Sequence, residues 1–489
     1  MKRNIYYSLF LLVIFFGSCE PYEFPEIPDP SPENGEADFS KMISIGSSVT
    51  AGVMDGALYN RSQNNSYAVI LAAQLKTVGG GDFNLPDINA EVGSYVLSPP
   101  GANLGRLILR VNPNSGSVIP QPIVPGNPIA PFEGNKSTLN NFGVNGMSLG
   151  AALIPQTGDA SQPNHPAFNP HYARFASNPG TSTLIGDAAA ALADGGTFFT
   201  FWLGKNDVLP YALKGGANPE LMPADAVFDQ NYNLALGSIL QANTTAKGAV
   251  ANIPDLNALP FFSTISWDAI PLSAAFSNLA NAAYSNYNQA LADLLMAGLI
   301  TENEKNLRTI QFQAGNNGFV LLDKTLTDLS GMGLPPIRQS NANDMVTLTL
   351  ATVLGEVVGG DPTAIRGVTV PIGDEYVLLP SEQEFMLEKI EAFNQIIQDA
   401  VLVHPDRLVL VDTNDFLTQV ASGSISAGTV PMTSSIAPPN GGFSVDGIHI
   451  NARGSAFIAN YFIETINQKW GSTIPKVNPN EFIGNDLPR

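Results

Sequence analysis

The apolar residues of this chain fall into short continuous runs that alternate with segments of helical periodicity. Four runs have the length and composition of buried strands, at residues 39–45, 197–203, 247–253 and 407–412. In other segments, apolar residues recur every three or four positions, as on one face of an amphipathic helix. This alternation predicts an α/β protein whose sheet carries helices on both faces.

Three of the predicted helices have recognisable start signals. Ser66 can cap a helix that runs to about Lys76, and Asn451 can cap the last helix of the chain. Residues 381–384, Ser-Glu-Gln-Glu, have the pattern of a capping box before a third helix.

Three long segments interrupt this alternation, so we expect one main domain over residues 39–470 with large insertions. Residues 85–131 contain nine prolines and residues 156–179 are similar, which favours ordered loops, whereas residues 299–380 have enough apolar runs for a small subdomain. Residues 471–489 are predicted to be a C-terminal tail.

The N-terminus has the order of a secretory signal, with Lys2 and Arg3 followed by an apolar stretch over residues 5–16. That stretch is shorter than the roughly 20 residues that span a bilayer. The Phe-Gly-Ser-Cys sequence that ends at Cys19 resembles the lipobox of bacterial lipoproteins, which implies a signal peptide over 1–18 and lipidation of Cys19. An ordinary signal with a chance cysteine is the alternative.

Residues 19–38 combine five prolines with seven acidic residues, which predicts a stiff, solvated tether. An acidic run after the cysteine resembles the export tags of some surface-exposed lipoproteins. The expected location is therefore the cell envelope, with the outer membrane favoured. Because Cys19 is the single cysteine of the sequence, no disulfide can form within the chain.

Charge excludes some partners. The formal net charge of −20 over 489 residues argues against binding to nucleic acid and against an electrostatic hold on anionic lipid headgroups. No cofactor is expected, since the glycine run at 79–81 lacks the context of a phosphate-binding loop.

The most informative motif is Asp-Gly-Ile-His at 446–449, where an acid precedes a histidine by three residues. A serine hydroxyl is a poor nucleophile until an imidazole takes its proton, and the imidazole must be held by an acid. Ser48 follows the first predicted strand, which places it at the carboxyl edge of the sheet, where ligands bind. Together these segments predict a serine hydrolase.

Four segments resemble, in the same order, the conserved blocks of the SGNH (GDSL-type) hydrolases. They are GSSVTAG at 46–52, NFGVNG at 141–146, GKND at 204–207 and DGIH at 446–449. The resemblance implies a three-layer α/β/α flavodoxin-like sandwich around a parallel sheet. It also implies hydrolysis of esters, sometimes of amides or acetylated sugars.

Carried over residue by residue, the resemblance makes Ser48 the nucleophile, His449 the base and Asp446 the acid that orients it. The backbone N–H groups of Ser48 and Gly146 and the side chain of Asn206 would form the oxyanion hole. These residue types suit those roles, because glycine lets a backbone N–H come close to a ligand and an asparagine amide donates without a charge.

Some alternatives stay open at this point. Ser47 stands where the family usually has Asp, which admits it as a rival nucleophile. Asp412 and Asp415 follow a predicted strand and could orient His449 instead of Asp446. His165 and His171 could bind a metal, although a surface loop is favoured and no metal site is expected. Asp207 is expected to support the Asn206 loop by hydrogen bonding.

The sequence therefore predicts an exported, lipid-anchored serine esterase or lipase that works through an acyl-enzyme. Its substrate would be a small-molecule, lipid or glycan ester, and its membrane contact would be through the lipidated N-terminus. A carbohydrate acetyl esterase and a non-catalytic binding lipoprotein are the alternatives. The sequence does not specify the oligomeric state.

Overall fold

The computed structural model describes residues 31–99, 101–111 and 118–488. The predicted signal peptide at 1–18, Cys19 and most of the predicted tether lie outside the described residues. The chain divides into a unit Met1–Pro32 and a unit Glu33–Arg489, and the second unit carries every feature that follows.

A sheet of five parallel strands lies at the centre of this unit. Its strands are β1 (Met42–Gly46), β2 (Asn141–Gly143), β3 (Phe198–Trp202), β4 (Lys247–Ala251) and β5 (Leu408–Val411), in the order β5-β4-β3-β1-β2. All four predicted strands are confirmed, and β2 adds a strand that the apolar pattern did not indicate. Gly46, the last residue of β1, pairs with Gly143 of β2 and Trp202 of β3, so three strands end side by side.

Helices pack around the sheet in two groups. The helix Tyr67–Leu75 packs against the last helix, Ala452–Trp470, while Asp225–Ala242 packs against both Leu184–Ala193 and Pro380–Leu402. The unit is thus an α/β fold with a parallel central sheet. No helix among the described residues is both long enough and apolar enough to cross a membrane.

Two of the three predicted helix caps are confirmed. The Ser66 hydroxyl accepts a hydrogen bond from Val69 N at 3.4 Å, and the Asn451 side chain accepts one from Gly454 N at 2.9 Å. The predicted capping box at 381–384 is wrong in its position. The helix begins at Pro380, and the Glu382 carboxylate accepts from Leu379 N at 2.7 Å, because proline fits the first helical position, where its missing N–H costs nothing.

The insertions contain their own short elements. Residues 85–131 hold a hairpin of Leu107–Val111 and Val118–Pro122, and residues 156–179 hold the short helix Pro170–Ala173. The predicted subdomain has a separate hydrophobic core that starts earlier than residue 299, since the long helix Ala274–Met296 contributes to it.

The remaining elements are short. Helices are Ser48–Ala51, Asn60–Gln63, Leu209–Leu213, Glu302–Arg308 and Thr413–Ala421; strand pairs are Ile270–Leu272 with Gly315–Asn317, Val320–Leu322 with Ile337–Gln339, Met345–Val346 with Val377–Leu378, and Ser426–Ala427 with Val430–Pro431.

The N-terminal end of the folded unit packs near the end of the last helix. Glu33 and Thr473 are joined by two hydrogen bonds, and Glu36 N donates to Trp470 O at 2.8 Å. Residues 33–37 of the predicted tether therefore belong to the folded unit. The predicted tail also folds back, because Arg61 holds the Asp486 carboxylate with both of its terminal nitrogens.

Candidate active site

The structure brings Asp446 and His449 into direct contact. His449 Nδ1 lies 2.7 Å from Asp446 Oδ2, and both side chains are buried. The other carboxylate oxygen, Oδ1, accepts from the backbone N–H groups of Ile448 at 2.8 Å and His449 at 2.9 Å. Gly447 has a φ of 72°, a left-handed conformation that glycine adopts at little cost. The three-residue spacing therefore lets the acid hold both the backbone and the ring of its histidine.

Two further donors reach this carboxylate from outside the motif. The Ser444 hydroxyl donates to Oδ1 at 3.0 Å, and Gly56 N donates to Oδ2 at 2.5 Å. Burial alone would raise the pKa of Asp446, but the His449 imidazole and the backbone N–H groups of His449 and Ile448 outweigh it and lower the pKa to about 2. Asp446 is therefore ionised at neutral pH and can stabilise a positive charge on His449.

Ser48 lies where the sequence predicts it, in the turn after β1. It begins the short helix Ser48–Ala51, and its carbonyl accepts from Gly52 N and Val53 N at 3.0 and 2.9 Å. Its Oγ is buried and has no hydrogen-bond partner in the part of the chain that the structure describes, so it is not bonded to His449. In free enzymes the contact between nucleophile and base is often looser than in complexes.

The segments that carry Ser48 and His449 nevertheless border the same space. Val49 and Ile448, the neighbours of these two residues, both line an apolar cavity of about 40 Å³ together with Leu259, Phe416 and Phe443. Gly56, shortly after Ser48 in the chain, is the residue whose N–H reaches Asp446. The structure therefore brings together two segments that are four hundred residues apart in the sequence.

The predicted oxyanion residues lie on loops that follow neighbouring strands. Gly146 has a φ of 70°, and a Cβ built on it would meet no atom within 4 Å, so its backbone borders open space. The Asn206 side-chain amide donates to Met147 O at 3.0 Å, which ties its loop to the loop of Gly146. Asp207 strengthens the same link by accepting from Leu149 N at 2.9 Å, which confirms the supporting role predicted for it.

A chain of buried hydroxyl groups fixes the Ser48 helix to the sheet. Thr50 Oγ1 lies 3.2 Å from the Tyr67 hydroxyl, which lies 3.5 Å from Thr200 Oγ1, and Thr200 donates to Ser44 Oγ at 2.9 Å. The Asn141 amide adds a bond to Thr50 O at 2.9 Å. Because each partner sits on a strand or helix of the core, the turn that carries Ser48 is held on a rigid base.

Two charged side chains next to Asn206 are buried. Burial lowers the pKa of Lys205 to about 8, and the charge of Asp446 partly opposes this change. Burial raises the pKa of Asp207 to about 7, although the bond from Leu149 N opposes the rise. Both groups therefore titrate near neutral pH.

The rival candidates are placed differently. Asp412 caps the helix Thr413–Ala421 by accepting from Asp415 N at 3.0 Å, and it also accepts from Asn252 Nδ2 at 2.8 Å. Among the described residues, the acid in contact with the His449 ring is Asp446, and neither Asp412 nor Asp415 reaches it. Ser47 is buried beside Ser48 and makes no capping bond with its side chain.

The two histidines considered for a metal do not share an environment. His165 is half-buried, and its Nδ1 accepts from Ala167 N at 3.2 Å. His171 is buried in the helix Pro170–Ala173, so the expectation of a surface loop is wrong for this residue. Burial lowers the pKa of His171 to about 4, which keeps it neutral. Across residues 31–99, 101–111 and 118–488, no three His, Cys, Asp or Glu side chains are grouped as metal ligands.

Sequence reasoning missed the groups that hold Asp446 from outside its motif, namely Ser444 and the turn at Asp55 and Gly56. The Asp-Gly pair was a visible turn signal, but nothing in the sequence indicated which distant segment the turn would contact. Comparison with family models, curated proteins and solved structures found no match for this chain.

Proposed function

We propose that this chain is a serine hydrolase of the SGNH type that cleaves carboxylic esters through an acyl-enzyme. The observation that supports it best is the buried Asp446–His449 pair at 2.7 Å. Its loop borders the same cavity as the segment of Ser48, whose hydroxyl has no hydrogen-bond partner among the described residues. The parallel α/β sheet supports the flavodoxin-like sandwich that the proposal includes.

In the proposed mechanism, His449 Nε2 takes the proton of Ser48 Oγ as the oxygen attacks the ester carbonyl. The imidazolium that forms keeps its Nδ1–H on the Asp446 carboxylate, whose low pKa leaves it charged throughout. The negative oxygen of the tetrahedral intermediate would be met by the N–H groups of Ser48 and Gly146 and by the Asn206 amide.

The intermediate then expels the alcohol, which takes its proton from His449, and leaves an acyl group on Ser48. Water attacks this ester with His449 again acting as base, and the acid is released. The Asn206 amide already donates to Met147 O, and an amide nitrogen carries a second hydrogen for the substrate oxygen.

The proposal also includes export and anchoring through a lipid on Cys19, as the sequence predicts. The substrate would be a small-molecule ester, or an ester of a lipid or glycan. Hydrolysis of acetylated polysaccharide, compared with that of medium-chain acyl esters, would separate these classes.

A fluorophosphonate probe tests the nucleophile. It should label the wild-type protein and the matched control Ser47→Ala, because both retain the Ser48 hydroxyl. It should not label Ser48→Ala. Labelling of Ser48→Ala at the wild-type level would reject Ser48, and loss of labelling in Ser47→Ala alone would assign the nucleophile to its neighbour.

A binding protein without turnover is the second candidate, because the Ser48 hydroxyl and His449 are not hydrogen-bonded in the structure. Hydrolysis of 4-nitrophenyl butyrate distinguishes the two. Turnover that disappears in both Ser48→Ala and His449→Ala supports the enzyme, whereas absence of turnover in the wild-type protein supports the binding role.

A further inference from the structure

A tight turn lies against the loop that carries Asp446. Met54 and Ala57 exchange two backbone hydrogen bonds of 3.1 and 3.0 Å, and the residues between them, Asp55 and Gly56, have φ values of 55° and 70°. Positive φ at both central residues is the signature of a type I′ turn, for which Asp-Gly is a favoured sequence. Gly56 adopts this conformation freely, and aspartate tolerates it better than most other non-glycine residues do.

Both N–H groups of this turn lead to the same carboxylate. Gly56 N donates directly to Asp446 Oδ2 at 2.5 Å, whereas Asp55 N donates to Ser444 Oγ at 2.9 Å. The Ser444 hydroxyl then donates to Asp446 Oδ1 at 3.0 Å. The turn therefore restrains both oxygens of the acid.

The Asp55 side chain also bonds to the loop at residues 444–446. Its Oδ1 accepts a hydrogen bond of 3.3 Å from the backbone N–H of Val445, the residue between Ser444 and Asp446. Its Oδ2 accepts from the Tyr59 hydroxyl at 2.6 Å and from Arg106 Nη1 at 3.2 Å. One buried carboxylate thus joins three parts of the chain: the loop at residues 444–446 (the triad loop), the turn at Asp55 and Gly56, and the insertion that carries Arg106.

Arg106 supplies a positive charge beside two buried carboxylates. Asp55 and Asp446 are both buried and would repel each other if both are ionised. The Arg106 guanidinium lies beside Asp55 and 4.9 Å above the Tyr59 ring, so it compensates the second negative charge.

We propose that Asp55 is a positioning residue for the triad. It fixes residues 444–446 so that Asp446 holds the His449 ring in the orientation that proton transfer from Ser48 requires. The inference rests on the proposed function and deepens it. Asp55 itself bonds to Asp446 only through Ser444 and takes no proton from the substrate, so it acts through another residue.

Steady-state kinetics on 4-nitrophenyl butyrate tests this role. Asp55→Ala should lower kcat about 10- to 100-fold, the usual effect of removing a group that orients a catalytic residue, with KM changed by less than about threefold. Asp55→Asn should retain more activity, because asparagine tolerates the left-handed conformation and keeps an acceptor for Val445 N.

Asn89 provides a matched control. It is another non-glycine residue with a positive φ, 48°, but it is exposed. Asn89→Ala therefore imposes a similar backbone strain without touching the triad loop, and its kcat should equal that of the wild-type protein.

A spectroscopic measurement separates positioning from a general loss of stability and does not need turnover. The His449 Nδ1–H proton, detected by NMR in ¹⁵N-labelled protein, should move or broaden in Asp55→Ala and stay unchanged in Asn89→Ala. If the wild-type protein has no esterase activity but this resonance still responds, the proposed function fails and the positioning role stands. An unchanged resonance in folded Asp55→Ala overturns the positioning role, whatever happens to kcat.

Discussion

Replacement of Asp446 by asparagine is the sharpest test of the proposed triad. The carboxylate accepts from five donors, three on Oδ1 (Ser444 Oγ, Ile448 N and His449 N) and two on Oδ2 (Gly56 N and His449 Nδ1). Asparagine has one acceptor oxygen and one NH₂ group. Whichever way the asparagine amide is turned, its NH₂ group faces at least one N–H or O–H group, and an NH₂ group cannot accept a hydrogen bond from that donor.

The less harmful orientation keeps the oxygen towards the three donors on the Oδ1 side. The NH₂ group then faces Gly56 N–H and His449 Nδ1. Leaving a buried donor unpaired costs about 1–3 kcal/mol, so we expect the free energy of unfolding to fall by roughly that amount. Nδ1 must now accept a hydrogen bond, which puts the ring proton on Nε2, where it prevents uptake of the serine proton.

We therefore expect kcat of Asp446→Asn to fall by about 10³–10⁴, equivalent to about 4–5 kcal/mol of activation free energy. The assay is hydrolysis of 4-nitrophenyl butyrate at pH 7.5, with a thermal melt to show that the variant is folded. Asp412→Asn is the control, since Asp412 caps a helix and does not touch His449, and its kcat should stay at the wild-type level. A folded Asp446→Asn protein that keeps a tenth of the wild-type kcat, or an equal loss in Asp412→Asn, would refute this reasoning.

Two further predictions concern the loop after β3. Asn206→Ala should lower kcat about 10²–10³-fold with little change in KM, which is the typical effect of removing one oxyanion donor. Steady-state kinetics measures both constants. A variant in which only KM changes would show that the amide serves Met147 O alone. Asp207→Asn should stabilise the protein at pH 8, because a pKa raised from 3.8 to about 7 means that the folded state holds the proton more tightly than the unfolded chain. At 1.36 kcal/mol per pKa unit, the ionisation of Asp207 lowers the free energy of unfolding by up to about 4 kcal/mol as pH rises from below 4 to above 7. Urea unfolding at pH 4 and pH 8 should show a difference between wild type and variant only at the higher pH, and equal stabilities at pH 8 would contradict it.

The sequence predicted four of the five strands because each of those four lies in a largely apolar run, whereas β2, with the sequence Asn-Phe-Gly, does not. The caps at Ser66 and Asn451 were equally local signals, since one side chain and the N–H three residues later decide them. The start at Pro380 was missed because the capping-box pattern at 381–384 and the proline competed for the same turn, and the fixed φ of proline prevailed.

The helix Ala274–Met296 was not predicted because its apolar face is narrow. Its buried side chains include Tyr284, Tyr287 and Leu291, and many of its other positions are alanine, serine or asparagine. Packing against a second core selects this helix, and that core depends on contacts with residues up to Leu379 that no local pattern reveals.

The candidate site divides in the same way. The contact of Asp446 with His449 follows from a spacing of three residues and could be read from the sequence. The bonds from Gly56 and Asp55 to the 444–446 loop join residues about 390 positions apart, so they depend on the whole fold. The same holds for Lys205, since no sequence signal indicated that it would be buried close enough to Asp446 to feel its charge.

The chain enters its folded unit at one pole of the sheet, and the candidate nucleophile lies at the other. Glu36 joins the end of the last helix, and Lys41 bonds with Thr197 at the beginning of β3, whereas Ser48 follows the opposite end of β1. A proposed anchor at Cys19 would therefore connect to the folded unit through Glu33, at the end of the sheet remote from Ser48. Under the proposed function, this arrangement favours esters that reach Ser48 by diffusion over acyl chains that are still embedded in a bilayer.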